Sequence, residues 1–211
     1  MDTAAGRFLA LTALWAAVAL AVQAGRVAAR HHRPHASRAG DPGRAILYNF
    51  TVTMLPSHKE SASRHPISFS AGILLHAAVF ASLTAAFVSL LSPPRFDLAR
   101  PVIAWTAAIG VLACAFLVLR RILSRELRAI SVPDDFAAAV AVGLFLAATA
   151  ATALGRFPVP SLQVLTGLLL LYVPLGKLRH AVFFFLARAD LGRRLGWRGV
   201  YPPPARTGIH G

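Results

Sequence analysis

The chain has 211 residues, 56% hydrophobic and 14% charged, with a net charge of +14 and a mean hydropathy of +0.61. An average soluble domain carries about 25% charged residues, and here the apolar residues run in long blocks, which excludes an ordinary soluble globule and points to an integral membrane protein. The one cysteine, Cys114, excludes a disulfide scaffold and a self-contained iron–sulfur protein.

In chain order, five blocks are long enough, at about 20 residues each, to cross a bilayer. They are Phe8–Ala29, Ile67–Leu91, Val102–Leu119, Phe136–Leu154 and Pro160–Leu186. The reading is an all-α, five-helix transmembrane bundle forming one membrane domain over 1–211. A basic loop at 30–66 and a basic tail at 187–211 complete it. The first block lacks the basic start of a cleaved signal, because Asp2 and Arg7 cancel, so it reads as an uncleaved helix.

All but four of the 22 Lys and Arg residues fall in the loop after the first span, the loop after the third, or the C-terminal end. The exceptions are Arg7, Arg95, Arg100 and Arg156. The positive-inside rule therefore predicts the N-terminus outside and the C-terminus in the cytoplasm. Because the basic residues punctuate apolar blocks, topology accounts for the charge and nucleic acid is not expected. The same charges suit either a cytoplasmic partner or anionic lipid.

The loop at 30–66 is mixed. The tract His31-His32-Arg33-Pro34-His35 reads as solvated chain rather than a metal site, since no second ligand cluster fixes a geometry. Asn49-Phe50-Thr51 fits a glycosylation sequon, unused on a cytoplasmic face. Ile46–Leu55 is apolar enough for a short horizontal helix at the interface.

Of eight histidines, two lie within spans, His76 and His180. Counted at 1.5 Å per residue, they sit about 13 Å and about 10 Å from the inner boundary on antiparallel helices. That depth match is the geometry for bis-histidine ligation of one b-type haem. Gly72 and Gly176 each stand four residues before a histidine, on its helix face, where a missing side chain leaves a notch for a flat macrocycle. Pro174 frees or bends backbone just before His180. Arg64, Lys177 and Arg179 near the inner boundary suit haem propionates. His65, about 16 Å further in, is the substitute ligand if the second span shifts inward. The competing reading is a histidine that merely hydrogen-bonds a neighbouring helix.

Three segments resemble the gamma subunits of respiratory nitrate reductases and the wider family of cytochrome b membrane anchors. That family includes the membrane subunits of heterodisulfide-reductase-like complexes. The segments are Phe69-Ser70-Ala71-Gly72-Ile73-Leu74-Leu75-His76, the basic loop Arg120–Ala129 followed by Pro133-Asp134-Asp135, and Pro174-Leu175-Gly176-Lys177-Leu178-Arg179-His180. The resemblance covers most of 67–188. It implies a five-span, N-out subunit of a bacterial or archaeal cytoplasmic membrane, with His76 and His180 as ligands of the inner haem. The family's outer haem ligands fall near Ala86 and Leu162, which cannot ligate iron, so the implied relative holds one haem.

The resulting expectation is an electron-transfer subunit rather than a catalytic one. It passes electrons between quinone in the bilayer and an iron–sulfur partner on the cytoplasmic face. Lys59, Glu60 and His65 at the inner edge are the candidate proton-exchanging groups of a quinone site, with Asp97 and Arg100 the outer alternative. The rival expectation is a haem-free membrane anchor or assembly subunit. A small transporter ranks behind both, because the first four spans carry no buried charge.

Overall fold

The computed structural model describes residues 3–29, 37–58 and 60–203. The His31–His35 tract, Lys59 and the end of the tail lie outside the described residues. Within them the chain forms helices and turns with no strand: α1 (Ala4–Ala29), α2 (Pro42–Phe50), α3 (Glu60–Arg64), α4 (Pro66–Leu91), α5 (Pro93–Leu123), α6 (Arg125–Ala129), α7 (Pro133–Ala153), α8 (Val159–Tyr172) and α9 (His180–Trp197). Four of these, α1, α4, α5 and α7, are long and apolar enough to cross a membrane. A fifth crossing exists if the broken pair α8 and Lys177–Trp197 counts as one span.

Helix starts follow simple chemistry. Proline occupies the first turn of α2, α5, α7 and α8, where its missing N–H costs nothing. Asp41 caps α2 by accepting from the Gly43 and Arg44 N–H groups at 2.9 and 3.4 Å. Ser92-Pro93-Pro94 likewise opens α5 well before Val102, so the expected outer loop Ser92–Pro101 is mostly helix, with Pro101 inside it. The expected last span, 160–186, is not one helix. Pro174 has no N–H to bond the carbonyl four residues back, and the Tyr172 carbonyl instead accepts from both Leu175 and Gly176, at 3.0 and 2.9 Å. A 3₁₀ turn, Lys177–Arg179, then precedes α9.

By contacts the chain divides into two compact units. Unit 1 comprises residues 1–19 and 66–179. Its core joins Ala78 of α4, Val142, Phe145 and Leu146 of α7, and Leu162 and Leu169 of α8. Small residues draw the helices together without a hydrophobic drive between them. A side chain at Gly110 of α5 would collide with Ala78 and press on Leu146. Buried threonines donate within their own helices, as in Thr149 to Phe145 O and Thr166 to Leu162 O, both at 2.8 Å, whereas the buried Ser82 hydroxyl of α4 has no hydrogen-bond partner among the described residues. Gln163 of α8 donates across to Ser89 of α4 at 3.3 Å.

Unit 2 comprises residues 20–65 and 180–211. Its centre is α2 against α9. Gly192 and Gly196, spaced as small-xxx-small, abut the backbone of α2, and a Cβ at either would meet Ile46, Ala45 or Pro42. Asn49 is 1% exposed. It donates to the Arg188 carbonyl at 2.6 Å and accepts from the Arg188 guanidinium at 2.7 Å. The sequon asparagine is thus spent on packing. The expected helix at Ile46–Leu55 begins earlier and ends at Phe50, with short 3₁₀ turns at Val52–Met54 and Pro56–His58.

Candidate functional site

His76 lies on the outward face of α4. The buried face of this helix carries Ala71, Ala78, Ser82, Ala85, Ala86 and Ser89, following the helical period. His76 is exposed, as are Ile73 and Phe80 one turn either side. Its Nδ1 lies 2.6 Å from the Gly72 carbonyl oxygen. A carbonyl only accepts, so Nδ1 is the donor in this contact. A backbone carbonyl orienting the second ring nitrogen is the usual companion of a metal-ligating imidazole. No atom lies within 4 Å of a Cβ built on Gly72, so the expected space beside this histidine is open.

The second half of the expected site is built differently. Gly176 is buried, and the ring of Tyr172 fills the space its side chain would occupy. The notch expected there is therefore closed. His180 is the exposed first residue of α9, in unit 2, and not a residue deep in a continuous span. The depth count for it assumed an unbroken helix and does not carry over.

Of the expected propionate partners, Lys177 ion-pairs with Asp135. Arg179 is exposed at the end of the 3₁₀ turn, and Arg64 is exposed at the end of α3. Of the expected quinone residues, Glu60 opens α3, and His65 is exposed between α3 and α4. Asp97 and Arg100 pair with each other at 2.8 Å within α5. Ala86 and Leu162 are fully buried, so packing closes the positions where an outer haem's ligands would stand. Among the described residues, no group of three or more His, Cys, Asp and Glu is placed to hold a metal ion.

Sequence reasoning passed over a polar cluster in unit 1. The Asp135 side chain is 7% exposed. Its Oδ1 meets Arg121 at 3.1 Å and also Lys177, while its Oδ2 accepts from the Val132 N–H at 3.0 Å. Tyr172 donates its hydroxyl proton to the neighbouring Asp134. Arg121 also reaches Ser131 at 3.3 Å. The signal was the acidic pair opening a helix beside a basic loop, and its partners lie too far along the chain to be paired by spacing. An apolar groove of about 590 Å³ runs between α4 and α5, from Pro66 and Ile67 past Leu74 to Leu112 and Phe116.

No protein-family model, curated protein or solved structure matches the chain.

Proposed function

We propose that the chain is the membrane cytochrome b subunit of a respiratory redox complex, holding one b-type haem between His76 and His180. The observation that carries this reading is the state of His76. It is an ionisable side chain on an apolar membrane helix, its Nδ1 donating a hydrogen bond to a backbone carbonyl, with open space beside it at Gly72. These features fit an axial ligand. The resemblance of the segments around both histidines to nitrate reductase gamma subunits supports the same pair.

When bound, haem supplies one-electron chemistry between a two-electron quinone and an iron–sulfur centre. The chain's own residues do the rest. The Gly72 carbonyl holds the His76 ring by accepting from Nδ1. Ile73 and Phe80 stand one turn either side of His76 on the same exposed, apolar face. Arg179 and Arg64, both exposed, are the cations we assign to the propionates. His65 and Glu60 are the proton-exchanging groups of a quinone site. With one cysteine in the chain, the next redox centre belongs to a partner, which we place on the basic cytoplasmic face of an N-out protein.

A haem-free anchor is the second reading. It is favoured by the spending of Gly176 and Lys177 on internal packing. Pyridine haemochromogen analysis of the purified protein separates the two. One haem b per chain, lost in His76→Ala and in His180→Ala, supports the first reading. A colourless wild type supports the second.

A further inference from the structure

We propose that Asp134 and Asp135 are positioning residues, clamping the broken segment 172–179 that follows α8 into one conformation up to the residue before His180. The link to His180 chemistry rests on the haem reading above, whereas the clamp itself does not.

The break is a weak point by construction. Pro174 removes a helical hydrogen bond, and Gly176 adds backbone freedom directly before the 3₁₀ turn. Left alone, such a junction swivels. The residues flanking it are both held. Tyr172, the last residue of α8, bonds to Asp134, and Lys177, the first after the break, bonds to Asp135. Successive residues on a helix project about 100° apart, so adjacent aspartates can reach opposite sides of one break. Gly176 completes the arrangement by admitting the Tyr172 ring.

The clamp is itself anchored. Asp135 also binds Arg121 from the last turn of α5 and the Val132 N–H at the start of α7. A nearly buried carboxylate needs such saturation, because each lost partner leaves charge unsolvated. Acidic residues at a helix start need no partner beyond the helix dipole. Here they have a tyrosine and a lysine from the same distant segment. Only the short turn Lys177–Arg179 separates the clamped lysine from His180.

The test uses the full chain in lipid nanodiscs, with a nitroxide on Arg179→Cys in a Cys114→Ala background. Lys177 is 51% exposed, so Lys177→Met removes the lysine half of the clamp without opening the core, and Arg121 stays on Asp135. The expected spectrum of the parent is a single immobile component. Lys177→Met gains a mobile one, Lys177→Arg restores the parent spectrum, and Tyr172→Phe, which removes only a hydroxyl, falls between. An unchanged spectrum in Lys177→Met overturns the clamp. In haem-bearing protein without the label, Lys177→Met shifts the low-spin electron paramagnetic resonance g-values and Lys177→Arg does not. Mobility that changes while the g-values stay fixed overturns the link to His180. A wild type without haem contradicts the proposed function alone, and the label still decides the clamp.

Discussion

Gly72 and His76 share their four-residue spacing with Gly176 and His180, yet the two pairs have different structures. The first sits on an unbroken helix, where i and i+4 share a face and the glycine carbonyl accepts a hydrogen bond from the imidazole. The second straddles a break, so its glycine and histidine belong to no common helix. The first glycine leaves open space, and the second is filled by a tyrosine ring. A spacing rule holds only while the helix that gives it meaning continues, and a proline two residues before Gly176 was enough to end it.

This contrast makes the two glycines respond oppositely to the same change. The largest effect is expected for Gly72→Phe, which fills the open side of His76. It should abolish haem binding while leaving the thermal unfolding midpoint near that of the wild type. Retention of full haem would show that the macrocycle does not use this space. Gly176→Ala comes next. Its methyl group collides with Tyr172, and overpacking of this kind costs about 1–3 kcal/mol. Thermal unfolding in detergent should show a lowered midpoint. The smallest effect is Gly72→Ala, where a helical glycine with nothing nearby is replaced. Stability should rise by about 0.5–1 kcal/mol. Equal signs for Gly72→Ala and Gly176→Ala would remove the basis of the comparison.

Much of the helical layout was readable from residues alone, because an apolar run of span length has few other uses. The starts and ends of α4 and α7 came within three residues of the expected spans. The early start of α5 was present in Ser92-Pro93-Pro94 but hidden by the polar residues that follow, Arg95, Asp97 and Arg100. The break at Pro174 was visible as a proline, but whether a proline bends a membrane helix or ends it depends on what satisfies the freed groups. Here the Leu175 and Gly176 N–H groups turn to the Tyr172 carbonyl, and the two aspartates hold the Tyr172 and Lys177 side chains either side of the break. The clamp was invisible because Asp134 meets Tyr172 across 38 residues of sequence. At the candidate site, Gly72 and His76 stand one turn apart on an unbroken α4, with His76 on its exposed face. Gly176 and Lys177 instead serve the break.

The most direct test of the central claim is the low-temperature electron paramagnetic resonance spectrum of the oxidised, purified protein. Two imidazoles on one iron predict a single low-spin ferric signal. His76→Ala and His180→Ala should each remove it together with the haem. A wild-type protein with no ferric signal, or a low-spin signal indifferent to both substitutions, would contradict the assignment.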